Sequence, residues 1–135
     1  MNAKKNNIKS MERSLFRNYL KKASEFYELM LKSQEMKKWN AAGLNAVHCA
    51  ISAADALLVF YSGVRSSGAD HKAVISLLIN SVRLPEIGAK SETLRKILAK
   101  KNIIEYEDRD FQQKESLEII KLTDRFYKWT VSKLG

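Results

Sequence analysis

Hydrophobic residues recur three and four positions apart along most of the chain, a spacing that places them on one face of an α-helix. The pattern predicts five helices, at about residues 10–37, 40–62, 71–82, 91–106 and 113–133. One proline and five glycines are few interruptions for 135 residues, whereas a domain rich in strands needs frequent turns. We therefore predict an all-α fold, an up-and-down bundle of four to five antiparallel helices.

The second predicted helix is apolar over much of its circumference, which is typical of a helix in the centre of a bundle. Its main hydrophobic stripe consists of Leu44, Val47, Ile51, Ala54 and Leu58. Asn40 is a candidate N-cap for this helix, and Asp70 is one for the third helix. Gly63 suits the left-handed position that commonly ends a helix.

A line of polar residues runs along the same helix, formed by Asn45, His48, Ser52 and Asp55. Two interpretations remain open: the line faces solvent or makes hydrogen bonds in the core, or it faces a cleft that binds a ligand. His48 and Asp55 are two turns apart, about 10 Å along the axis, so each needs a partner from another helix. A buried Asp55 would require a cation or a hydrogen-bond donor beside it.

The fourth predicted helix supplies candidate partners. Lys101 falls where the stripe of Leu94 and Leu98 would continue inward, an unusual position for a lysine. Either its stem packs while its ammonium reaches solvent, or the ammonium reaches Asp55 or a ligand anion. We predict one polar cluster between the second, third and fourth helices, made of His48, Asp55, His71, Lys101, Glu105 and Tyr106. A buried, paired cluster would fix the helix register, whereas an open one would be a ligand site.

The length of the chain predicts one domain, and its net charge predicts a basic surface. Residues 1–9 are expected to be a disordered basic tail, and residues 10–135 one helical domain. The net charge of +9 indicates either solvated basic helix faces or a weak, salt-sensitive contact with RNA, DNA or an acidic partner. The residues expected to make that contact are Lys4, Lys5, Lys9, Arg13, Arg17, Lys21 and Lys22.

Other features narrow the class of protein. A single cysteine, Cys49, and a polar N-terminus without a signal peptide favour a reducing cytoplasm, and no apolar run reaches membrane length. Two histidines and one cysteine far apart do not predict a zinc site. The sequence contains no glycine-rich phosphate loop and no Gly-x-Ser-x-Gly motif. We expect no metal and no cofactor.

Three segments, "AVHCAISAADALL", "GVRSSGADH" and "LRKILAKKNIIEYED", together with the closing helix, give the chain a resemblance to the HEPN superfamily. These are small prokaryotic helical domains, often linked to nucleotidyltransferases, toxin–antitoxin pairs and defence systems. The resemblance covers nearly all of the chain after residue 10. It implies a bundle of four to five helices, a homodimer, and a non-catalytic module that binds a nucleotide, RNA or a partner protein such as a nucleotidyltransferase.

The resemblance also implies an alternative, because some HEPN members are metal-independent ribonucleases with an Arg-x(4–6)-His motif. Where that motif normally lies, in the late helix, this chain has Lys101 to Tyr106 and no histidine. Arg65 and His71 satisfy the spacing, but in the loop before the third helix. No catalytic residue is therefore assigned, and Arg65 and His71 remain the candidates of the ribonuclease alternative.

Overall fold

The computed structural model describes residues 8–66 and 71–134. Its α-helices are α1 (Phe16–Glu35), α2 (Trp39–Ser62), α3 (His71–Ser81), α4 (Ile87–Leu98), α5 (Lys101–Tyr106) and α6 (Gln113–Lys133). A 3-10 turn, Arg13–Leu15, precedes α1. Two strands of three residues, β1 (Ile8–Ser10) and β2 (Val64–Ser66), pair antiparallel. The predicted all-α fold is confirmed, with this short ribbon as an addition.

Helix α2 is the centre of the bundle, as its apolar circumference predicts. Helix α1 packs along α2, α6 covers a second side, and α3, α4 and α5 lie against the remaining surface. Fourteen of its residues are buried, many of them alanines, and small side chains let neighbouring helices approach closely. By length and composition alone α2 could cross a membrane, but 72% of its most apolar window is buried inside the fold. Its hydrophobicity is that of a core helix.

The end of α2 turns the chain into the ribbon. Gly63 has a φ of 61°, so the predicted left-handed end of α2 is confirmed. Its N–H donates to the carbonyl of Val59 at 3.0 Å, and its own carbonyl accepts from Met11 N–H at 2.8 Å. That bond brings β1 alongside β2, with Lys9 opposite Arg65.

Two predictions at the N-terminal end need correction. The first helix does not begin at Ser10, because Ser10 ends β1 and α1 begins at Phe16. The predicted tail lies mostly outside the described residues, but Ile8 and Lys9 at its end belong to β1. Strands of three residues leave no alternating pattern long enough to distinguish them from a loop, so the sequence could not predict them.

The fourth predicted helix is two helices. Helix α4 begins at Ile87, earlier than predicted, and ends at Leu98, where Lys100 N–H donates to the Ile97 carbonyl in a tighter turn. The turn redirects the chain so that Ile103 and Ile104 of α5 pack against the core. No glycine or proline marks this break, which depends on tertiary packing.

The helix starts also differ in detail. Asn40 lies within α2 and does not cap it; the N-cap is Lys38. The Asn40 amide instead donates to Asp110 at 3.0 Å and accepts from Phe111 N–H at 2.7 Å, which ties the α5–α6 connection to α2. The expected cap of the third helix, Asp70, lies outside the described residues.

Candidate ligand-binding cavity

A cavity of about 260 Å³ opens beside α2, where five elements meet. Its walls are His48, Ile51 and Asp55 of α2, Arg65 and Ser66 of β2, His71 and Val74 of α3, Leu94 and Leu98 of α4, and Lys101 of α5. The polar groups come mainly from α2, β2 and α5, whereas α4 contributes only leucines. A mainly apolar pocket with a few convergent polar groups is the usual form of a ligand site.

Asp55 is the most buried charged residue of the cavity, with 5% of its surface exposed. Its Oδ2 lies 3.5 Å from Arg65 Nη2, a long contact for a charge-assisted hydrogen bond. The Arg65 guanidinium also lies over the ring of Tyr19, 5.1 Å from its centroid. The sharp turn at Gly63 and the pairing of β2 with β1 hold Arg65 in this position.

The electrostatic balance at Asp55 is incomplete. Burial raises the pKa of Asp55 from 3.8 to about 6, although the positive charges of Arg65 and Lys22 act in the opposite direction. Removal from water disfavours the carboxylate more than these cations favour it. Arg65 therefore neutralises Asp55 only in part.

Two buried donors on β2 have no hydrogen-bond partner within the described part of the chain. They are Arg65 Nε and Ser66 Oγ, and both residues line the cavity. Ser66 is 5% exposed, so water does not readily compensate its hydroxyl. An unsatisfied buried polar atom costs about 1–3 kcal/mol and calls for an explanation, and a bound ligand is one.

The opposite wall carries a second charged pair. Lys101 Nζ lies 3.2 Å from Glu105 Oε2 within α5, and Glu105 Oε1 lies 3.9 Å from His48 Nε2. The His48 ring packs beside Phe26 of α1, with 5.3 Å between ring centroids. Lys101 lines the cavity, whereas its carboxylate partner Glu105 is not among the lining residues.

The structure brings most of the predicted cluster together. His48, Asp55, His71 and Lys101 line the cavity, and Glu105 contacts both His48 and Lys101. Tyr106 does not join them: it is the last residue of α5, is 73% exposed and does not line the cavity. The expectation that it belongs to the cluster is wrong.

Sequence reasoning missed the partner of Asp55. It considered Lys101 or a histidine, whereas the closest cation is Arg65 from β2. Ser66 was not singled out at all. Arg65 and His71 stand out in the sequence through the Arg-x(4–6)-His spacing, but only the fold shows that both residues line a cavity beside α2.

A second polar cluster lies between α1 and α6 and encloses no described cavity. The Tyr27 hydroxyl donates to Asp124, whose carboxylate also lies 3.2 Å from Lys128 Nζ. Burial, followed by the hydrogen bond to Asp124, raises the pKa of Tyr27 to about 12. Tyr27 stacks on Tyr127 with 4.4 Å between ring centroids. This cluster is fully partnered and fixes two helices against each other.

Family comparison agrees with the helical architecture. The HEPN domain family matches residues 16–134, which include all six helices and β2. The chain belongs to the HEPN family. HEPN domains as a family are connected with nucleotides and RNA, and the cavity of this HEPN domain lies wholly within the matched region. Among curated proteins no significant match was found.

The described residues of the HEPN domain hold no group of three or more His, Cys, Asp or Glu side chains arranged to bind a metal ion.

Proposed function

We propose that this HEPN domain is a non-catalytic binding module for a nucleotide or RNA, and that the cavity beside α2 is its ligand site. The observation that carries the proposal is the convergence of basic side chains from four elements on one cavity: His48, Arg65, His71 and Lys101. Arginine and lysine around a concave site are the groups that bind phosphate oxygens most strongly.

The cavity is large enough for the phosphate end of a nucleotide but not for the whole molecule. At about 260 Å³ it is somewhat smaller than a pocket for a complete drug-sized ligand, which starts near 300 Å³. A phosphate group and part of its sugar fit such a volume, and the base would remain at the rim. The ligand is then held mainly by its phosphate.

Calorimetric titration with 5′-AMP and with a short RNA at pH 6 tests the proposal. Arg65→Ala is expected to lower the affinity at least about tenfold, since it removes a charge-assisted hydrogen bond worth more than 1 kcal/mol. Arg95→Ala is the matched control, because Arg95 is exposed and pairs with Glu92 on α4. Failure of the unmodified chain to bind either ligand would refute the proposal.

The metal-independent ribonuclease is the second candidate, and a specific observation favours it. Arg65 and His71, which match the Arg-x(4–6)-His spacing, line the same cavity. Incubation of labelled RNA with the protein in chelator, with His71→Ala as the control, tests this activity. Cleavage that His71→Ala abolishes would replace the non-catalytic proposal; no cleavage would remove the alternative.

We further propose that the chain forms a homodimer, and that it works with a protein partner such as a nucleotidyltransferase in a toxin–antitoxin or defence pair in the cytoplasm. Membership of the HEPN family, whose domains often dimerise, supports the homodimer. Sedimentation at tens of micromolar tests the dimer, and a purely monomeric species would contradict it.

A weaker contact of nucleic acid with the surface of α1 is proposed as well. Arg17, Lys21 and Lys22 lie on α1 close to Lys9 and Arg13, while Lys4 and Lys5 lie outside the described residues. Such binding releases counterions, so its affinity should fall steeply as salt rises. Binding in the cavity depends on a few buried donors, so its affinity should depend less on salt than the affinity of the α1 surface.

A further inference from the structure

The two unpartnered donors and the weakly paired carboxylate belong to residues that line the same cavity. Arg65 carries one hydrogen bond to Asp55, and its buried Nε has no partner within the described residues. We infer that the cavity takes a terminal phosphate group, a phosphomonoester, which binds Arg65 and Ser66 by displacing the Asp55 carboxylate from Arg65. This inference rests on the proposed function and names the ligand class of the same site.

The donors fit a phosphate. A guanidinium offers five N–H groups, of which the Asp55 contact uses one, and Ser66 Oγ adds a hydroxyl donor from the next residue. A tetrahedral phosphate presents several acceptor oxygens in different directions, so a single group can accept from Arg65 and from Ser66.

The enclosure favours a terminal phosphate over an internal one. Five elements surround the cavity, and Ser66 stands in its wall with 5% of its surface exposed. An internal phosphodiester continues into chain on two sides and needs two exits for its sugars. A phosphomonoester needs only one, and its volume suits about 260 Å³ better.

Asp55 is the internal competitor for Arg65, because a carboxylate and a phosphate cannot share the guanidinium without repelling each other. The charged groups that act on Asp55 are Arg65 from β2 and Lys22 from α1. His48, His71 and Lys101 line the same cavity, and Glu105 pairs with Lys101. Helix α4 adds only Leu94 and Leu98. Burial raises the pKa of Asp55 to about 6, so the carboxyl takes up a proton readily when an anion arrives.

Anion binding should therefore be coupled to proton uptake. Above pH 6, where Asp55 is ionised, affinity should fall by up to about tenfold per pH unit, since one proton enters for each anion bound. His48 and His71 also line the cavity. Asp55→Asn measures the part of the pH dependence that belongs to Asp55, because it removes the competing carboxylate and leaves both imidazoles in place.

The decisive measurement compares 5′-AMP with a dinucleotide that has one internal phosphodiester and no terminal phosphate. At pH 7.5 the unmodified chain should bind 5′-AMP at least about tenfold more tightly, and Asp55→Asn should raise the affinity for 5′-AMP by at least about tenfold. Ser66→Ala should lower the affinity for 5′-AMP and leave the affinity for the dinucleotide unchanged. Circular dichroism checks that each variant is folded.

Sulfate provides a test that needs no variant. It keeps both charges between pH 5 and pH 8, whereas a phosphomonoester itself titrates near pH 6. Sulfate should bind more weakly as pH rises in the unmodified chain, and this dependence should shrink in Asp55→Asn. Equal affinity for 5′-AMP and the dinucleotide, weaker binding by Asp55→Asn, or pH-independent sulfate binding would overturn the inference. Binding of RNA with any of these results leaves the proposed function standing, whereas absence of all nucleotide and RNA binding removes both.

Discussion

Neighbouring elements pack against the two sides of α2 in different ways. Towards α6 the helix meets a closed interface, where Phe126 is fully buried and the Thr123 hydroxyl donates to the Ala46 carbonyl. Towards β2, α3 and α5 it carries His48 and Asp55 and borders a cavity. The first side is packed, whereas the second side places charged groups around an open volume.

The difference indicates which side of α2 stabilises the domain and which side carries its binding chemistry. The α2–α6 interface gains free energy from packed apolar surface, and its polar atoms are partnered. The cavity side keeps an incompletely neutralised carboxylate and two unpartnered donors. Residues on the first side should therefore control folding, and residues on the second should control binding and its pH dependence.

The largest expected effect is on the closed side. Phe126→Ala should lower the free energy of unfolding by about 3–5 kcal/mol, because the ring is fully buried and leaves a cavity in the core. Urea denaturation followed by circular dichroism measures it. Val131→Ala on the same helix is the control, since Val131 is 42% exposed and should cost less than about 1 kcal/mol. Similar losses for both variants would show that the interface is not closed as described.

The next effect has the opposite sign and lies on the cavity side. Because burial raises the pKa of Asp55 to about 6, the folded chain holds the proton more tightly than the unfolded chain. The stability from this group is fully present below about pH 4 and is lost as pH rises through about 6. Asp55→Asn, which resembles the protonated form, should raise the free energy of unfolding at pH 7 by about 2 kcal/mol.

The same variant should give little gain at pH 4, where Asp55 is protonated in the folded chain. Urea denaturation of the unmodified chain and of Asp55→Asn at pH 4 and pH 7 measures the difference in their free energies of unfolding. A loss of stability at pH 7 would mean that Arg65 compensates the carboxylate fully, and the contrast between the two sides of α2 would weaken.

A smaller effect is expected at the outer wall of the cavity. Glu105→Gln removes the contacts with Lys101 and His48, which are partly exposed, so the expected loss is about 0.5–1 kcal/mol and should shrink at high salt. Glu35→Gln is the control: its pair with Lys32 is mostly exposed on α1 and should contribute close to nothing. Thermal melts at low and high salt distinguish the two variants.

The smallest effect on stability is expected from the ribbon. Removal of residues 1–10 should change the free energy of unfolding by less than about 1 kcal/mol, because a two-stranded ribbon is marginal by itself. The amide protons of β2 should nevertheless exchange faster, since β1 is their pairing strand. Unchanged exchange at Val64–Ser66 would show that β1 does not hold Arg65 in place.

The sequence predicted the parts of this fold that depend on repeated local signals. The hydrophobic stripes located the main helices, and Gly63 marked the end of α2 because few other residues adopt its backbone conformation. The polar line on α2 and the inward position of Lys101 identified three polar side chains of the cavity, His48, Asp55 and Lys101. Those features are periodic, so a single chain reveals them.

The remaining features depend on contacts between distant segments. The break between α4 and α5 follows from the packing of Ile103 and Ile104, which no local residue announces. The Asp55–Arg65 contact requires the turn at Gly63 and the strand β1, which is far from β2 in sequence.

Cys49 lies on α2, is fully buried and is the single cysteine of the chain. Burial first, and the negative charge of Asp124 second, raise the pKa of its thiol to about 12, so in the native state it is both unreachable and chemically quiet. A thiol-directed reagent can then modify the chain only while the central helix is exposed. The rate at which a reagent labels Cys49 therefore reports how often the bundle opens, so this thiol is a built-in probe of unfolding of the whole domain.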